Sequence, residues 1–171
     1  NLYCKTLQMY QDGTSQVDSD FILQTSPSSS ATTTSLGGVV GPGNEHALKY
    51  ECKVRGVNSD GVEGADSNTV TAQDNVGPGL LTPPVVTSTT VTITFSEPVR
   101  EVDAETTGNY VLTGTSAALT LSTAVYDTAS STVTLTYTGG TITSGGNTIT
   151  VTGVKDVTGN TILVGSNTVT F

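Results

Sequence analysis

Tryptophan is absent from this chain of 171 residues, and histidine and methionine occur once each. The absence of Trp removes the commonest aromatic platform for a sugar ring. One His and two Cys give no zinc-finger spacing, and no Cys-x-x-Cys pair is present. A Ser-His-Asp set would have to assemble around His46 in GNEHALKY. A solvated loop histidine beside Glu45 is the simpler reading, and no Gly-x-Ser-x-Gly elbow occurs. Basic residues are also scarce. Six Lys and Arg face fifteen Asp and Glu, for a net charge of -9 and a pI near 4.2. Such a chain repels nucleic-acid phosphates and anionic membrane surfaces, and it attracts divalent cations. No apolar run reaches the length of about 18 residues that a membrane-spanning helix needs, so direct membrane insertion is not expected. No secretory signal reads at the start, and the chain opens on NLYCKTLQMY, already a strand pattern. The expectation is a removed leader or a slice of a longer chain. No Asn-x-Ser/Thr acceptor for N-glycosylation exists.

Threonine, serine, glycine and valine dominate, while the strong helix formers are few. Branched β-carbons pack well on a pleated sheet, so the composition points to strands. Residues 2–10, 17–24, 48–58 and 67–73 read as strands in the first half, with turn signals at Asp12-Gly13 and at NSDG, 58–61. TSPSSSATTTS, 25–35, reads as an exposed loop, with an O-glycosylated patch as the alternative. The glycines and prolines of DNVGPGLLTPP, 74–84, mark a break between domains. Beyond it the alternation is cleaner, at 89–95, 109–114, 118–126, 131–137, 147–153 and 167–171. Short strands at this spacing indicate a β-sandwich, and no segment carries a helical period.

Two family resemblances follow from particular stretches. YECKVRGVNSDGVEGADSNTVTA, with Leu36 and GPG at 41–43 leading into it, resembles the last two strands of a fibronectin type III module. Tyr50 stands where that family has its corner tyrosine, whose hydroxyl ties down the loop entering the strand. The resemblance covers residues 1–75 and implies an incomplete module, because the first two strands, one of which carries a core Trp, have no counterpart. Residues 81–171 are similar to a bacterial Ig-like domain of S-layer proteins, adhesins and multidomain surface enzymes. The motifs are VTITFSEPV at 91–99, NYVLTG at 109–114 and ITVTGVKDVTGN at 149–160. The expected fold class is therefore all-β: a fibronectin type III-like module over 1–75, a linker over 76–84, and an Ig-like sandwich over 85–171. The fibronectin-like alignment puts Cys4 and Cys52 on the third and sixth strands, neighbours in one sheet. That placement implies a disulfide, if the α-carbons come within roughly 7 Å. The alternative is two buried thiols acting as small apolar residues.

Three acidic segments compete for a chemical role. Glu97, Glu101, Asp103 and Glu105 crowd SEPVREVDAE, which reads as a solvated loop after the second sandwich strand. A glycosidase would need two carboxylates across a cleft with aromatic flanks. The aromatics of this half, Phe95, Tyr110, Tyr126, Tyr137 and Phe171, fall mostly on alternating strand positions and read as core. VKDVTGN, 154–160, offers Asp156 and Asn160 as calcium ligands, but calcium takes about six to eight oxygens. A tight turn is the simpler reading: Asp156 closes the strand, Gly159 takes a positive φ and Asn160 tolerates one. Calcium could bind there by borrowing acids from SEPVREVDAE, or Asp74 and Asn75. Asp60, Glu63 and Asp66 in NSDGVEGADS are weaker ligand candidates. A Lys-Asn cross-link would need a buried lysine beside an acid, and Lys155 is the second half's single lysine.

No catalytic residue is assigned. The expected object is a non-enzymatic structural module of a secreted or cell-surface bacterial or archaeal protein, such as an S-layer, adhesin or filament subunit. Its partners would be other domains of the same protein or neighbouring subunits. The missing strands would be supplied by preceding residues or by a neighbour, which would make a homo-polymer. NTVTF and LLTPPVV are the donor segments within the chain. The alternative is a carbohydrate-binding or spacer region of a secreted enzyme.

Overall fold

The computed structural model describes residues 1–9, 15–17, 21–26 and 48–171. His46, Leu36, the GPG at 41–43, the Asp12-Gly13 turn and most of the 25–35 segment lie outside the described residues. The chain divides into two compact units, with the boundary between Asp74 and Asn75.

The first unit is an antiparallel sheet built on two long strands, β1 (Leu2–Met9) and β4 (Leu48–Val57). The short strands β2 (Ser15–Val17) and β3 (Ile22–Thr25) pair with β1. On the other side, β5 (Glu63–Asp66) and β6 (Val70–Gln73) pair with β4. Of the apolar run at 17–24, Val17 lies in β2 and residues 22–24 in β3, while 18–20 lie outside the described residues. β5 is also unexpected from its sequence, because EGAD has no apolar alternation; it pairs with β4, where Glu63 and Asp66 meet Arg55. Alternation along β1 and β4 separates two faces. Leu2, Cys4 and Tyr50 are buried on one, whereas Tyr3, Lys5, Lys53 and Arg55 stand on the other. Tyr50 sits opposite Thr6 of β1 and Ala72 of β6.

The second unit is a sandwich. One sheet has the order β10-β11-β8-β7 and the other β13-β12-β9. The strands are β7 (Leu80–Val86), β8 (Thr90–Phe95), β9 (Tyr110–Gly114), β10 (Thr120–Asp127), β11 (Thr132–Thr138), β12 (Asn147–Val151) and β13 (Thr168–Thr170). In β8, Val91, Ile93 and Phe95 point inward. They meet Val133, Leu135 and Tyr137 of β11, Ile149 and Val151 of β12, and Val169 of β13. Burying each large aliphatic side chain of this set contributes about 1.5–3 kcal/mol. Alternate threonines face outward, and Thr92 and Thr134 share a hydroxyl hydrogen bond of 3.1 Å across β8 and β11. Phe95, Tyr110, Tyr126 and Tyr137 are all buried, and Phe171 packs against the core.

Two expectations are corrected here. Residues 80–84 are not linker, because they form the first part of β7, paired with β8. Pro83 and Pro84 fit because β7 is the outer strand of its sheet and its register shifts between Leu81 and Val85, where a missing N–H breaks no ladder bond. The acidic stretch after β8 is not simply a solvated loop either. Glu101–Ala104 form a one-turn helix, α1, followed by a 3-10 turn over Thr107–Asn109. This turn of helix is held by tertiary contacts rather than by any helical period. Ala104 is fully buried, the Tyr110 hydroxyl donates to the Ala104 carbonyl at 2.5 Å, and Asn109 Nδ2 donates to the Asp103 carbonyl at 2.8 Å.

Candidate functional site

The turn after β12 gathers the most buried charge in the second unit. An isolated bridge between Val99 and Asp156 carries the VKDVTGN segment against the end of the β8 side, and the Arg100 N–H donates to the Lys155 carbonyl at 2.9 Å. Asp156 is fully buried. Its carboxylate accepts from the Thr158 hydroxyl (2.9 Å to each oxygen), from the backbone N–H of Gly159 (2.6 Å) and Asn160 (2.7 Å), and from Asn160 Nδ2 (2.7 Å). A buried carboxylate is tolerated only when its lone pairs are met, and here Thr158, Gly159 and Asn160 meet them. Gly159 takes φ +102° to allow it. Asn160, which could tolerate a positive φ, does not take one; its part is that of a side-chain donor.

The turn reading therefore accounts for Asp156 and Asn160. One borrowed acid is nevertheless at hand. Glu97, expected on a solvated loop, is buried, and a carboxylate oxygen of it lies within 4.8 Å of one of Asp156. Pro98 and the Val99 bridge draw that residue inward, a long-range effect invisible in SEPVREVDAE. Of the remaining acids of that stretch, Glu105 accepts from the Tyr126 N–H at 3.1 Å. Tyr126 in turn accepts the Val99 N–H at its hydroxyl, at 3.1 Å. Burial raises the Tyr110 phenol above its ordinary range and pushes Tyr137 up to about 12.

A second polar centre was not foreseen from the sequence. Asn147 is buried at the start of β12; its Oδ1 accepts from the Ser116 N–H (2.8 Å) and the Thr115 hydroxyl (3.0 Å), while its Nδ2 donates to the Thr143 carbonyl (2.7 Å). The asparagine clips two loops together. The sequence signal was an Asn at an inward position of an otherwise apolar alternation.

In the first unit, Cys4 and Cys52 face each other across β1 and β4, with α-carbons 4.2 Å apart, and form a disulfide. The opposite face is an ion-pair ladder. Arg55 binds Glu63 at 3.1 Å and also Asp66; Lys53 binds Asp66 at 2.7 Å, and Lys5 binds Glu51 at 2.8 Å. The Tyr3 hydroxyl and Asn1 Nδ2 donate to Glu63 as well. Hydrogen bonding from Tyr3, then Asn1 and Arg55, holds the Glu63 carboxyl down at about 2, and Arg55, then Lys53, does the same for Asp66. Glu63 and Asp66, weighed above as cation ligands, are thus satisfied by side-chain cations. Lys53 also lies over the Phe21 ring at 4.1 Å.

Taken together, the two-sheet topology and the alternating inward core of the second unit define an Ig-like sandwich. The model of the bacterial Ig-like domain matches residues 64–171, more than half of the sequence, and the chain belongs to that family. The match begins at Gly64, inside the first unit. The crystal structure of the N-terminal part of the bacterial S-layer protein SbsC is similar at 23% identity and a TM-score of 0.47, covering 56% of this chain and 24% of that one. A structure of domains 1–6 of the surface layer protein SbsC has the same identity and TM-score, covering 56% of this chain and 14% of that one. This chain thus spans a small part of either protein. No curated protein matches it.

Proposed function

We propose that this chain is a non-enzymatic structural module of an extracellular bacterial surface protein, of the S-layer, adhesin or filament kind. The observation that carries the reading is how the second unit spends its buried polar groups. Asp156 and Asn147 are turned inward onto their own loops, where they lock turns. Groups used this way resist deformation, which suits a spacer or lattice element. The carbohydrate-binding alternative draws no support from the aromatics of the second unit, which are core residues. Assembly through a donated strand remains part of the proposal. The donor is not LLTPPVV or NTVTF, because both are paired within their own sheets as β7 and β13. It would be a strand of a neighbouring subunit.

The test is surface labelling of intact native cells with a membrane-impermeant amine reagent, followed by mass spectrometry. Modification of the lysines on the charged face of the first sheet is expected. Recovery of the chain unlabelled, in the cytosolic fraction only, would sink the reading.

A further inference from the structure

Outer strands of sheets carry rows of backbone N–H and C=O groups that invite another strand. Among the described residues of the second unit, β10 is such a strand, paired with β11 on one side. Between Thr123 and Asp127 its register is regular. The Tyr126 N–H leaves the sheet and donates to Glu105 Oε1 at 3.1 Å, so Tyr126 and, two residues away, Ala124 direct their backbone groups outward. The strand, TLSTAVYD, has a single charge, Asp127, in a chain of net charge -9. Its Val125 is exposed, at 58%. An antiparallel pairing of two β10 strands over this regular stretch, centred on Val125, sets Tyr126 opposite Ala124 and Asp127 opposite Thr123, and brings no like charges face to face. Repulsion that separates copies elsewhere is therefore weak along this edge, and the edge is complementary to itself.

Glu105 stands in the way. It follows α1 directly, and α1 is immobilised by buried Ala104, by the Tyr110 hydroxyl and by Asn109. Its position is thus set by the core and not by a floppy loop. A side-chain oxygen on an outward N–H fills the donor that an incoming strand would need. We infer that Glu105 is an edge guard, which occupies the outward N–H of Tyr126 and keeps β10 from pairing with β10 of a second copy. The inference is independent of the proposed function.

Sedimentation velocity on the full chain over a range of concentrations tests it. Glu105→Ala should self-associate about tenfold more tightly than wild type, the equivalent of one such interaction. Glu105→Gln, which keeps an acceptor oxygen but loses the same charge, should behave as wild type. Adding Val125→Lys to Glu105→Ala should abolish the gain, since the two lysines would stand directly opposite each other in the pairing. The inference is overturned if Glu105→Ala matches wild type, if Glu105→Gln associates as strongly as Glu105→Ala, or if Val125→Lys has no effect. Should Glu105→Ala not fold, hydrogen exchange on the wild type decides: the Tyr126 amide should be protected and the Ala124 amide should exchange fast. Equal, fast exchange at both would also overturn it.

Discussion

The α-carbon of Gly77 lies so close to Thr161 that an added β-carbon would meet the Thr161 carbonyl oxygen at 1.9 Å. Gly77 is therefore a packing glycine, required by close backbone approach to the turn that follows Asp156. Gly77→Ala forces that contact apart and should cost the second unit on the order of 1–3 kcal/mol, the range for overpacking. Urea unfolding of the full chain, followed by a probe in the second unit, measures it. An unchanged midpoint would show that the backbone yields freely here.

Asp156→Ala removes the acceptor for two backbone N–H groups, a hydroxyl and an amide. Bonds to a charged acceptor count for about 1.5–3 kcal/mol each in mutational series, and the loss is shared, so a total of roughly 3 kcal/mol or more is expected. Asn160→Ala, which deletes one donor, should cost nearer to about 1 kcal/mol. Thermal melts of the two variants give the ranking, and the reverse order would refute the assignment of Asp156 as the hub.

Because the turn's own donors occupy the Asp156 oxygens, residues 154–160 offer calcium too few ligands for tight binding. Titration calorimetry of the metal-free protein with calcium should show no nanomolar site. A nanomolar dissociation constant that vanishes in Glu97→Gln would show instead that the Glu97–Asp156 pair opens to hold the ion.

The disulfide spans a sequence separation of 48 residues. By chain entropy alone it contributes about 4 kcal/mol to the first unit. The variant with both cysteines replaced by serine should lose stability of that order in the first unit. Denaturation followed by a probe in the first unit measures it, and an unchanged midpoint would contradict the entropic contribution.

The charged face of the first sheet makes that unit acid-sensitive. Glu63 and Asp66 titrate near 2 in the folded protein, against ordinary values of 4.5 and 3.8. A depressed folded pKa contributes stability that is complete above the unfolded value and lost as pH falls through the folded one, so the window is from about pH 4.5 down to 2. Both groups are exposed, so the effect is modest and weakens with salt. Glu63→Gln should flatten the acid limb of a stability–pH curve, and an unchanged limb would place the sensitivity elsewhere.

The sequence by itself determined the periods and hence the strands of the second unit. Val91, Ile93 and Phe95 alternate with threonines, and an alternation over five to seven residues leaves only one face to bury. It also determined that VKDVTGN would turn, since Asp, Gly and Asn are local in their effect. Tertiary structure alone decided the rest. Whether Glu97 is solvated depends on the Val99–Asp156 bridge, 57 residues apart in sequence by the numbers of its partners. Whether Glu101–Ala104 forms a helical turn depends on Tyr110 and Asn109 reaching back to it. Whether LLTPP is a linker or an outer strand depends on β8 lying beside it. Each outcome rests on partners that local pattern cannot choose, because burial and hydrogen bonding are settled by what the rest of the chain brings near.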